Sequence, residues 1–130
     1  MRFWIGTFVV LLTAAPVMGT VVTAGDEKQQ TVEATVGETV VLRIPSTPGT
    51  GFAWQVASLD SEHLTLLGKP TYEPPLTPAL GAAGYQVFKF LLQKPGSAHV
   101  TLHYRRAWET GREPARTFDL DITVRPQKGG

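Results

Sequence analysis

The chain of 130 residues contains no cysteine. That absence excludes a disulfide scaffold, a thiol nucleophile, a Cys-ligated metal and a lipid-anchored cysteine, so the fold must be held by its own core. Neither sign of charge is in excess. Twelve Lys and Arg face eleven Asp and Glu, which leaves no reservoir of positive charge for a phosphate backbone. Arg105, Arg106, Arg112 and Arg116 cluster, but Glu109 and Glu113 interleave them, and no nucleic-acid partner is expected. Histidine is scarce. His99 and His103, four apart on a strand, sit about 13 Å from each other at roughly 3.3 Å per residue, too far to share a metal. No Gly-x-Ser-x-Gly pattern occurs, and Asp119 and Asp121 read as outward, solvated strand positions rather than an acid/base pair. No enzymatic activity, cofactor, metal or small-molecule substrate is expected.

What is present begins with an uncharged stretch from Phe3 to Gly25, preceded by Arg2. A basic start, an apolar run through Leu12, a breaker at Pro16 and a small-x-small ending fit a secretory signal peptide. Cleavage is expected after Ala24, with Gly19 as a second site, giving residues 1–24 for export and 25–130 for the domain. The run is also long enough to cross a bilayer, so an uncleaved membrane anchor is the competing reading. Either way the domain is expected outside the cytoplasm, secreted or periplasmic. Removing residues 1–24 takes away one Arg and no acid, leaving eleven of each sign.

Beyond the leader, apolar residues alternate at period two with no sustained period of 3.6. The sets are Val32, Ala34 and Val36; Val40, Leu42 and Ile44; Phe52, Trp54 and Val56; Leu64 and Leu66. Then come a run from Tyr85 through Leu92; Val100, Leu102 and Tyr104; and Phe118, Leu120, Ile122 and Val124. Short strands with turn signals at this spacing predict an all-β, immunoglobulin-like antiparallel sandwich of about seven to eight strands. A monomer is expected. Trp54 lies inside an alternating set, which predicts core packing. Trp108 follows the last alternating position of its strand, amid Arg106, Glu109 and Gly111, which predicts a surface role.

Three connections differ from the rest. Residues 45–51 read Pro-Ser-Thr-Pro-Gly-Thr-Gly, residues 70–84 form an irregular Pro- and Gly-rich segment, and residues 106–114 carry Trp108. These segments hold 12 of the 23 Gly and Pro residues, so the turn chemistry is concentrated rather than diffuse. If each strand runs antiparallel to the one before, alternate connections emerge at the same end of the sandwich. The three loops would then form one composite binding edge on a rigid scaffold.

Those loops carry a resemblance to the chagasin-like inhibitors of papain-type cysteine peptidases. That family's patterns are Asn-Pro-Thr-Thr-Gly-(Phe/Tyr) with a Trp two residues on, Gly-x-Gly-Gly, and Arg-Pro-(Trp/Phe). Here they stand as Thr47-Pro48-Gly49-Thr50-Gly51-Phe52-Ala53-Trp54, Gly81-Ala82-Ala83-Gly84 and Arg106-Ala107-Trp108. Order and spacing match over about residues 31–124. The departures are Thr47 for Asn, Gly49 for the first Thr, Ala83 for a Gly and Ala107 for the Pro. Thr47 can still accept a backbone hydrogen bond through its hydroxyl, whereas Gly49 is expected to loosen its loop. Ala107 gives up the fixed φ that would stiffen the presentation of Trp108.

The resemblance implies a reversible inhibitor. The first loop would enter the active-site cleft as a wedge, the second would line the non-primed side, and Arg106 with Trp108 would cover the primed side. A sandwich adhesion or protein-binding module using the same edge is the alternative.

Overall fold

Period-two alternation becomes strand wherever it occurs in the described residues, which are 19–76, 82–109 and 111–127 of this computed structural model. The expected sets form β2 (Gln29–Thr35), β3 (Thr39–Ser46), β4 (Phe52–Leu59), β5 (Leu64–Leu66), β7 (Gly84–Leu92), β8 (Gly96–Arg106) and β9 (Arg116–Arg125). Two further strands raise the total to nine among the described residues. β1 (Gly19–Thr23) comes from the segment assigned above to export, and β6 (Thr71–Glu73) from the irregular connection. The remainder of the export segment, residues 1–18, lies outside the described residues.

One sheet runs β1-β3-β7-β5, with β6 also pairing β7, and the other runs β2-β9-β8-β4. β5 and β6 share one edge of β7 in succession, opposite Phe90–Leu92 and Tyr85–Val87 respectively. Most pairings are antiparallel, but β1 runs parallel to β3 and β2 parallel to β9. The chain changes sheets between β1 and β2, so each lies at an edge beside a strand that it does not adjoin through a hairpin.

The core lies between the sheets. Val40, Leu42, Ile44, Phe88, Phe90 and Leu92 on one inner face meet Trp54, Val100, Leu102, Phe118, Leu120 and Ile122 on the other. Trp54 is 2% exposed, as its place in the alternation predicts. Its indole N–H donates to the Pro45 carbonyl at 2.9 Å, which joins edge strand β4 to β3 of the opposite sheet. Pro45 fits inside β3 because β1 pairs no farther than Arg43; beyond that point a missing N–H costs no ladder bond.

The two ends of the sandwich are distinct. Ser46 opposes Gly84 and Phe52 opposes Arg106, so the three unusual connections leave from the same end. At the other end lie the Gly37 turn, hydrogen-bonded to Leu92, the entry of β1 beside Thr39 and the exit of β9 at Arg125, whose carbonyl accepts from Val36 N–H.

Candidate functional site

The first loop is shorter than its composition suggests, because β3 extends through Pro45 and Ser46. What remains is one turn of 3-10 helix at Pro48–Thr50, closed by Gly51 in the left-handed region at φ 85°. Backbone bonds run from Thr50 N–H to the Thr47 carbonyl at 3.1 Å and from Gly51 N–H to the Pro48 carbonyl at 2.9 Å. The Thr50 hydroxyl donates to the Thr47 carbonyl at 2.6 Å and accepts from Phe52 N–H at 3.3 Å. Pro48, Gly49 and Thr50 are exposed at the tip, and none of them is buried. The looseness expected from Gly49 is offset by these internal bonds.

Thr47 does not cap this turn with its side chain, contrary to the expectation for a residue in place of Asn. Its hydroxyl instead pairs with the Tyr104 hydroxyl at 3.2 Å, and its N–H donates to the same oxygen at 3.3 Å. Tyr104 opposes Trp54 across β8 and β4 and lies between two rings, with centroids 5.3 Å from Phe52 and 4.9 Å from Trp54. The base of the loop is thereby tied to the aromatic end of the core.

Arg106 and Trp108 come to the same place. The β4–β8 register sets Arg106 opposite Phe52, with its guanidinium carbon 4.4 Å from the Phe52 ring centroid and 5.8 Å from that of Trp108. Its Nε donates to the Thr50 carbonyl at 3.2 Å, and Nη1 lies 3.9 Å from a Glu109 carboxylate oxygen. Arg106 is thus turned inward onto the first loop, as a brace. Ala107 and Trp108 form an exposed turn. Trp108 is 70% exposed, yet its ring covers Gly51, where a Cβ would stand 2.6 Å from Cη2.

The second loop approaches from the other sheet. Ala83 is exposed and helps line a cavity of about 200 Å³ with Pro45, Ser46, Thr47, Tyr104 and Arg116. Ala82 is half-buried and Gly84 buried. The place of a Gly84 Cβ is already filled by the Glu73 carbonyl and the Tyr72 hydroxyl, so this glycine permits close strand packing rather than offering a surface. Gly81 lies outside the described residues. Ahead of it, Leu76 is fully exposed after Pro74 and Pro75.

Gln86 was not singled out by the sequence, being one polar residue in an apolar run. Its amide accepts from Trp54 N–H at 2.7 Å and donates to the Trp54 carbonyl at 3.2 Å. It satisfies the open edge of β4 from across the sandwich and fixes the strand that leads out of the first loop. A cavity of about 590 Å³ lies at the opposite end around Thr35, Val36, Gly37 and Arg125, away from all three loops.

The two-sheet scaffold has known counterparts. Residues 33–122 match the family model described as Chagasin family peptidase inhibitor. Chagasin of Trypanosoma cruzi is 36% identical over 95 residues, covering 69% of this chain and 84% of that one. The crystal structure of EhICP2, a cysteine protease inhibitor from Entamoeba histolytica, superposes with a TM-score of 0.68 at 21% identity, over 85% of this chain and all of that one. PbICP-C, solved in complex with falcipain-2, superposes with a TM-score of 0.59 at 17% identity, over 83% and 99% of the two chains. The family match spans well over half of the residues, and this chain belongs to the chagasin family of peptidase inhibitors.

Proposed function

We propose that the loop end of the sandwich closes the active-site cleft of papain-type cysteine peptidases. Thr47, Pro48, Gly49, Thr50, Gly51 and Phe52 form the wedge, with its exposed tip at Pro48–Thr50. Small residues there let the backbone approach a catalytic centre closely, and the internal bonds of the turn hold it in one shape. Ala82 and Ala83, which lead into the strand packed at Gly84, flank the non-primed side. Arg106, Ala107 and Trp108 cover the primed side, with Trp108 as the contact and Arg106 as its brace. The observation that carries this reading is the contact of Trp108 with Gly51, which makes wedge and flank one preformed surface. A surface ordered before binding avoids the entropic cost of ordering it afterwards.

The protein acts by occupying the cleft, not by chemistry of its own. PbICP-C, which shares the fold, is seen bound to falcipain-2, which supports the same class of partner here. Titration of papain with the purified protein tests the reading. Stoichiometric, reversible loss of peptidase activity is expected. Full activity at micromolar inhibitor would overturn it and leave the loops as a surface for another protein.

The working place of the protein is the extracytoplasmic side of a membrane. The support is the uncharged apolar run behind Arg2 and the small-residue ending that follows Pro16. Cell fractionation tests this, with the protein expected in the medium or periplasm.

A further inference from the structure

The sequence offers two small-x-small endings for the export segment, Val17-Met18-Gly19 and Val22-Thr23-Ala24, and the fold separates them. From the use the sandwich makes of residues 20–24, we infer that the leader is removed after Gly19, so that the mature chain begins at Thr20. This inference rests on the export reading above.

Gly19–Thr23 pairs along its whole length with Thr39–Arg43. Ala24 N–H then donates to the Arg43 carbonyl at 2.8 Å. Val22 and Ala24 are buried members of the core, and the Arg43 guanidinium donates to the Thr23 hydroxyl at 3.1 Å. Cleavage after Ala24 would delete β1, uncover one side of β3 as a bare edge and remove two core side chains. Unpaired edge strands invite pairing with other chains. Cleavage after Gly19 keeps every one of these contacts except the terminal pairing of Gly19 with Thr39.

The position of the new terminus also differs between the two sites. β1 enters beside Thr39, at the end of the sandwich away from the three loops. A chain beginning at Thr20 therefore keeps its ammonium group far from the peptidase-facing edge. A chain beginning at Gly25 would start next to Asp26 and Lys28, which line a cavity with Pro114, Ala115, Arg116 and Thr117, at the loop end itself. The Gly19 site also follows the apolar run more closely, with Pro16 between them as the breaker, in the arrangement a leader requires.

The test is to export the full chain with its own leader from a bacterial host, then read the intact mass and the amino-terminal sequence. Thr20 as the first residue supports the inference. Gly25 as the first residue overturns it while leaving export intact, and retention of Met1 overturns both the cleavage and this site. A second arm uses Gly19→Leu, which places a bulky side chain where the processing enzyme needs a small one. Accumulation of unprocessed precursor is expected, and processing at the unmodified rate would overturn the assignment.

Discussion

The ring of Trp108 lies over Gly51, and a Cβ at residue 51 would stand 2.6 Å from its Cη2 atom. Gly51 also holds φ at 85°, so two independent constraints fall on one residue. Alanine there meets left-handed strain of roughly 1–2 kcal/mol and must displace the indole. Gly51→Ala is expected to lower the melting temperature and raise the inhibition constant against a papain-type peptidase. In a Trp108→Ala background only the backbone strain remains, so the second substitution costs less there. Equal costs in both backgrounds, read from a double-mutant cycle, would show that the two loops are not coupled.

Trp108 itself is 70% exposed, and its removal takes little from the core. Trp108→Ala is therefore expected to leave the melting temperature close to that of the parent. Large, exposed aromatic residues at an interface centre contribute about 2–4 kcal/mol, so the inhibition constant should rise about 30- to 700-fold. An unchanged constant would remove residues 106–108 from the binding surface.

Gly49 presents the opposite case to Gly51. Its φ is not in the left-handed region and nothing lies within 4 Å of where its Cβ would be, so neither backbone nor space requires glycine. Gly49→Ala should stabilise the protein by about 0.4–1 kcal/mol through the unfolded chain. Inhibition should be retained or tightened, since the added methyl reduces what binding must order. A lower melting temperature in thermal denaturation would mean that the turn does use glycine's freedom.

The pattern of apolar residues made seven strands and most of the core legible, because alternation reports which face of a strand is buried. β1 was hidden because Val21 and Val22 sit in the same uncharged run as the leader, and composition cannot tell a leader's tail from an edge strand. β6 was hidden because all three of its residues are exposed and no periodicity marks them. The three loops were grouped correctly from strand parity alone. The use of Arg106 was not legible. Its residue type suggests an interface anchor, but the opposition of Arg106 to Phe52 turns the guanidinium back onto Thr50. Thr47 followed the same logic: a hydroxyl that could cap a turn is drawn instead to Tyr104, which only the packed sandwich brings near.

His99 supplies a pH dependence far from the loops. Nδ1 lies 2.6 Å from an Asp121 carboxylate oxygen and Nε2 lies 3.1 Å from one of Asp119, and only the imidazolium can donate to both. Thr101 also donates to Asp119, and Gln29 of β2 donates to Asp121. The Asp121 hydrogen bond chiefly raises the His99 pKa above its ordinary value of 6.5; burial opposes it, and the Asp119 hydrogen bond adds a lesser upward effect. The same contact, with Gln29, lowers Asp121 below 3.8. A raised histidine contributes stability that is complete below 6.5 and is lost as pH rises through its folded value. A lowered aspartate contributes above 3.8 and loses its contribution as pH falls through its folded value. Both contributions coincide between about pH 4 and pH 6.5. His99→Gln keeps the size and one donor but cannot carry the charge. Its melting temperature should fall furthest below that of the parent near pH 5, by no more than a few degrees for a half-exposed pair. The gap should close toward pH 9, and a gap independent of pH would assign His99 a packing role instead.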